Sequence, residues 1–181
     1  MKSSIHNQKT ADTKYKVRYV ESFPINLPAE KIDMYSWIVE MTELDYVSYS
    51  PSHLAMNSYF KEGVLFMTNV EAIGVDIIVQ HYQLKYYSAE HVQFYSAKSD
   101  AYIMRWVRLF AGVPWEMQIR QLSKDSCELV CLVGADYPNL LIKVAAWFNG
   151  LAGLFIRKHL IKEGKAFARD IETKFKKNNM D

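Results

Sequence analysis

Residues 138–175, PNLLIKVAAWFNGLAGLFIRKHLIKEGKAFARDIETKF, decide how the rest of the chain is read. Pro138 suits the first turn of a helix, where its missing N–H would go unpaired in any case. Leu140, Leu141, Val144, Ala145, Trp147, Phe148, Leu151, Leu154, Phe155 and Ile156 make the first half apolar almost all round. The second half keeps only a stripe, in which Ile156, Leu160, Phe167, Ile171 and Phe175 recur at helical steps between charges. Lys174, Lys176 and Lys177 stand near its end, where cations oppose the helix dipole favourably. The spacing predicts a long helix that needs an apolar partner for most of its length. Gly150 and Gly153, in the apolar half, suggest a close backbone approach or a bend, since an interior glycine costs about 1 kcal/mol against alanine.

The partner is upstream, where the chain reads as sheet. Tyr15, Val17, Tyr19 and Phe23 alternate with Lys16, Arg18 and Ser22, the pattern of a half-buried strand. Pro28 then opens a helix to about Met41, with Glu30 and Asp33 in its first turns and Ile32, Tyr35, Ile38 and Val39 on its apolar face. Residues 42–57, interrupted by Pro51, read as irregular, with a short helix or a lid-like loop as the two forms they could take. Strands are expected from about Tyr59, over Val64–Glu71, Val75–Tyr87, Glu90–Ala97, Ala101–Phe110, around Trp115–Ile119, and over Cys127–Ala135. Gly74, Lys98-Ser99-Asp100, Gly112 with Pro114, and Lys124-Asp125-Ser126 punctuate them as turns. Short strands with frequent polar breaks favour an antiparallel meander. The fold class is therefore α+β, with one sheet face covered by the terminal helix.

This order of elements, the strand-to-helix passage Ile25-Asn26-Leu27-Pro28-Ala29-Glu30-Lys31-Ile32, and the Pro138-led last helix resemble the START-like, polyketide-cyclase (SRPBCC) superfamily. The resemblance runs from about Tyr15 to Phe175. It implies a helix-grip fold, a bent antiparallel sheet of about seven strands gripping a long C-terminal helix. The expected organisation is a disordered tail over 1–13 followed by one START-like ligand-binding domain over 14–177. The resemblance also implies an elongated cavity between sheet and helix that takes a hydrophobic small molecule or lipid. An enzyme of the cyclase, dehydratase or aromatase type is the alternative on the same fold.

Composition agrees with a large core and narrows the partners. Half of the residues are hydrophobic and 14% are aromatic. The net charge of +2 is too small for a phosphate-tracking surface, so no nucleic acid is expected. From Arg157 onward eight Lys or Arg stand against four Asp or Glu, which leaves a module for an anionic membrane surface or a protein partner open as a third reading. Membrane contact would show as sedimentation with anionic liposomes that salt abolishes. Leu140–Ile156 is 17 residues long and contains Lys143 and Asn149, short and polar for a membrane span. The start of the chain carries Lys2, His6, Lys9 and Lys14 without an apolar core, unlike a secretory signal. Cys127 and Cys131, without a companion histidine, read as two buried thiols, and a cytoplasmic location with no metal is expected.

Nucleotide loops, G-x-S-x-G and H-E-x-x-H are all missing from the sequence, so no cofactor is expected. Among the five scattered histidines, His81 shares parity with Ile77 and Val79 and is the candidate general base. Arg108, on the Trp106 side of its strand, is placed at a cavity mouth, where a guanidinium offers paired donors to an acidic head group. Tyr102, Trp106 and Trp115 on the sheet, with Trp147 and Leu151 on the helix, complete the expected ligand-binding set. Trp106 and Trp147 are expected to face each other across the cavity.

Overall fold

A computed structural model of the protein describes residues 15–148 and 154–177. The expected tail over 1–13 and the close approach expected at Gly150 and Gly153 lie outside the described residues.

Seven antiparallel strands form one sheet: β1 (Tyr15–Ile25), β2 (His53–Lys61), β3 (Val64–Ile73), β4 (Asp76–Tyr87), β5 (His91–Ile103), β6 (Val107–Ser123) and β7 (Ser126–Tyr137). β2 to β7 meander, and β1 closes beside β7, giving the order β1-β7-β6-β5-β4-β3-β2. Four helices among the described residues accompany it: α1 (Met34–Glu40), α2 (Glu43–Tyr49), α3 (Leu140–Phe148) and α4 (Leu154–Lys177). Within the terminal stretch, the described residues Leu140–Phe148 and Leu154–Lys177 are helical, and α4 lies against β1 and β7. This is the α+β helix-grip architecture.

Local chemistry sets the elements. The helix expected to begin at Pro28 starts as a 3-10 turn over Ala29–Lys31, and α1 proper is capped by Asp33, whose side chain accepts from the Ser36 N–H at 3.0 Å. The stretch read as irregular contains α2, opened by a capping box in which Thr42 and Asp45 accept from each other's backbone N–H. The Asp170 carboxylate ties α1 and α2 to α4. It accepts from Trp37 Nε1 and from the Tyr49 hydroxyl, each at 2.8 Å. Phe167 packs edge-on between the same two rings. The close approach of helix to sheet occurs at Gly164, where a Cβ would stand 2.1 Å from the Phe23 ring.

The expected turn at Lys98-Ser99-Asp100 is instead a β-bulge. Between Ser96↔Val113 and Ser99↔Ala111, three steps along β5 oppose two along β6, so one residue is extra and the side-chain alternation changes phase. Val92, Phe94 and Ser96 are buried before it; Ser99 and Ile103 are buried after it. The strand expected over Ala101–Phe110 turns in its middle. Met104 and Arg105 have φ of +48° and +69°, the two left-handed positions of a tight hairpin. Trp106 N–H donates to Ile103 C=O at 3.0 Å, and the Asp76 carboxylate accepts from the Met104 N–H at 2.6 Å. The break expected at Gly112 and Pro114 is absent, and β6 runs through both.

Candidate functional site

Between the inner face of β3–β7 and the helices α3 and α4 lies a cavity of about 80 Å³, measured as the space open to the centre of a water molecule. One water needs roughly 10–15 Å³ on that measure, so several fit. Ile73, Ile78, Ile103 and Leu109 from the strands, with Ile142 and Ile156 from the helices, make much of the wall apolar. The remainder is polar: Asn69, Glu71, Gln80, Ser99, His159 and Glu163. Strand pairing accounts for part of this grouping, because Asn69 lies opposite Gln80, and Glu71 opposite Ile78. Among the described residues, Asn69 Oδ1 and Gln80 Oε1 are buried without a hydrogen-bond partner. A buried acceptor left unpaired costs roughly 1–3 kcal/mol, so these two favour an occupant that donates.

Behind the polar wall four ionisable side chains converge. His159 and Glu163 project from one face of α4, one turn apart, while Glu71 comes from β3 and His53 from the first residue of β2. Tyr46 of α2 arranges two of them. Its ring stacks on His53 at 3.9 Å with 6° between the planes, its carbonyl oxygen lies 2.6 Å from His53 Nδ1, and its hydroxyl donates to Glu71 Oε1 at 2.6 Å. Across the cluster, His53 Nε2 stands 3.4 Å from Glu163 Oε1, and His159 Nε2 stands 3.4 Å from Glu71 Oε2 and 3.7 Å from Glu163 Oε2. Burial opposes charge on His159, but Glu71 and Glu163 outweigh it and raise the imidazole pKa. Burial likewise opposes charge on Glu71, yet His159, His53 and the Tyr46 hydroxyl hold its carboxyl below the usual carboxylate range. Tyr82, also in the cavity wall, is pushed well up by burial and then by the two carboxylates, and stays a phenol.

Of the residues expected from the sequence, the structure brings Trp115 to the cavity wall. Tyr102 falls after the bulge and outside the wall-lining residues, in the phase opposite to Ala101 and Ile103, which do line the cavity. Trp106 sits beside the hairpin turn and is 90% exposed, and Trp147 is 64% exposed on α3. The two do not face each other across the cavity. Arg108 does hold a carboxylate, but one of this chain: its Nε and Nη2 donate to the Asp100 oxygens at 2.9 and 2.8 Å. His81 is exposed on the outer face, with Nδ1 3.4 Å from Thr68 Oγ1, because the inward parity of β4 is that of Ile78, Gln80 and Tyr82. Leu151 lies outside the described residues. Cys127 and Cys131 are buried free thiols, as read. At the basic end of α4, Lys174 pairs with Asp45 and Asp170, and Lys176 with Glu172. Among the described residues no helix is long and apolar enough to cross a membrane.

The cluster carried a faint signal. His159 and Glu163 occupy positions that the apolar stripe of α4 needs, next to Leu160 and a turn before Phe167. A titratable pair at inward positions of an amphipathic helix is unusual unless it is satisfied by partners or by function. His53 and Glu71 gave no such sign, since their roles depend on α2 and on the register of β2 with β3.

No family sequence model matches the chain, and no curated protein matches it in sequence. Solved structures match it in fold. Norcoclaurine synthase from Thalictrum flavum is 11% identical, with a TM-score of 0.57 over 94% of this chain and 95% of that one. A START superfamily protein from Mycobacterium smegmatis is 16% identical, with a TM-score of 0.50 over 86% and 97%. The Zhui aromatase/cyclase from Streptomyces sp. R1128 is 10% identical, with a TM-score of 0.50 over 86% and 96%. The fold is START-like.

Proposed function

We propose that this protein binds a small, largely hydrophobic molecule carrying at least one hydrogen-bond donor in the cavity between the sheet and α3 and α4. The observation that carries this reading is the wall itself, isoleucine- and leucine-rich over one part and bearing the unpaired Asn69 Oδ1 and Gln80 Oε1 in another. Pockets for small molecules combine these two elements, apolar area for affinity and a few placed polar groups for orientation. The START-like fold supports the same reading. Native mass spectrometry of the protein as purified tests it, with a co-purifying molecule of low mass expected at one per chain. Absence of an adduct, together with no uptake of small phenols or naphthols added to the protein, would contradict it.

A second reading is favoured by one observation: His159, Glu71, Glu163 and Tyr82 all border the cavity. Groups able to take and return a proton beside an apolar pocket suit a cyclase-, dehydratase- or aromatase-type reaction on a polyketide-like or isoprenoid substrate. In that role His159 replaces His81 as the candidate proton carrier. Turnover of a bound substrate, lost on His159→Gln with uptake retained, separates this reading from binding alone.

A further inference from the structure

We propose that His53, Glu71, His159 and Glu163 form a binding site for a divalent first-row transition ion such as Zn2+. Their four donor atoms lie within 4.8 Å of one another. With metal–ligand bonds of about 2.1 Å, neighbouring ligands at the corners of a tetrahedron stand about 3.4 Å apart. His53 Nε2 to Glu163 Oε1 and His159 Nε2 to Glu71 Oε2, two edges of such a set, are both 3.4 Å, and the other Glu163 oxygen, Oε2, stands 3.7 Å from His159 Nε2. Charge-assisted hydrogen bonds between imidazolium and carboxylate are shorter, about 2.7–2.9 Å. Among the described residues, neither His53 Nε2 nor His159 Nε2 completes a hydrogen bond, although both nitrogens are buried and the His53 side chain is so entirely.

The surroundings of His53 and Glu71 resemble the outer shell of a metal site. The partner of His53 Nδ1 is the Tyr46 carbonyl, which only accepts, so Nδ1 carries the hydrogen and a neutral ring turns the Nε2 lone pair toward the cluster. The Tyr46 hydroxyl binds Glu71 Oε1 and leaves Oε2 on the side of His159. Two carboxylates and two neutral imidazoles around a divalent ion sum to zero charge, which suits a buried position. Mixed imidazole and carboxylate donors select first-row divalent ions over Ca2+ or Mg2+. Glu71, His159 and Glu163 also border the cavity, so an oxygen of an occupant could approach the ion from that side. The site does not depend on ligand uptake.

The test uses the untagged full-length chain. Calorimetric titration with Zn2+ is expected to give about one ion per chain and to raise the melting midpoint by about 5–10 °C at a hundred times the dissociation constant. Glu163→Gln and His159→Gln, checked for folding by circular dichroism, are expected to lose affinity by about tenfold or more. Because either variant could unfold, the wild type is also titrated with Co2+, which should shift the ring proton resonances of His53 and His159 far more than those of His81 and His91. No stoichiometric binding, undiminished affinity in folded variants, or Co2+ shifts confined to other histidines would each overturn the proposal and leave the four side chains as a buried ion quartet.

Discussion

Glu163 takes the place on α4 that the apolar stripe skips between Leu160 and Phe167, and the side chains around it show how far single residues could be read. Alternation and helical spacing report which face a residue is on, and they place Trp115, Met117 and Ile119 correctly on the buried side of β6. They fail where the phase changes. Tyr102 lies beyond a bulge that changes the phase of β5, and His81 shares with Ile77 and Val79 the parity that faces away from the cavity. Burial of a charged group is less legible still, because it is decided by partners distant in the chain. Tyr46 is the clearest case, serving His53 with its carbonyl and ring and Glu71 with its hydroxyl. Tyr46→Phe should lower stability by about 2 kcal/mol, since it removes a buried hydrogen bond to a charged group. Urea titration measures this directly. An unchanged midpoint would mean that the Glu71 carboxylate does not rely on that hydroxyl.

Among the elements, strands and helices with strong periodicity were legible, and their ends were not. The β5–β6 hairpin turns on Met104 and Arg105, neither of them a residue that favours positive φ, so no turn signal marked it. The Asp76 carboxylate offsets part of that strain by accepting from the Met104 N–H. Replacing the pair with Asn-Gly should raise stability by about 1 kcal/mol, as residues suited to left-handed backbone relieve the penalty. A lower urea midpoint would contradict the turn geometry. The capping box of α2 gives a second expectation with a sign in pH. Burial raises the Asp45 carboxyl pKa, but hydrogen bonds from Thr42 and the charge of Lys174 outweigh it and leave it below 3.8. A carboxyl depressed in the folded state adds stability above its unfolded pKa and loses it as pH falls through the folded value. Thr42→Ala should therefore lower stability by about 1 kcal/mol near neutral pH. The difference from wild type should shrink below about pH 4. Melting curves across that range would show it, and a difference that does not vary with pH would exclude the reciprocal cap.

For the molecule as a whole, the order of elements and the run of alternating strands carried the fold, because burying one face of an antiparallel sheet under a terminal helix leaves few other arrangements. The cavity was legible only as a consequence of that fold. Its wall depends on which residues the β5 bulge turns inward, and on which residues of α3 and α4 meet the sheet. Ala101 is the position where wall and void meet most simply, small and inward after the bulge. A phenylalanine there should enter the cavity, so Ala101→Phe is expected to change stability by less than about 1 kcal/mol. In a filled core the same change would cost roughly 1–3 kcal/mol. The most direct measurement is a titration of wild type and Ala101→Phe with a naphthol, read through Trp115 emission and paired with melting of both proteins. Saturable quenching at micromolar concentration in the wild type, lost in Ala101→Phe while the melting midpoint is retained, is the expected result. Naphthol binding that is undetectable in the wild type, or equal in both proteins, would contradict a ligand-binding cavity between the sheet and the C-terminal helices.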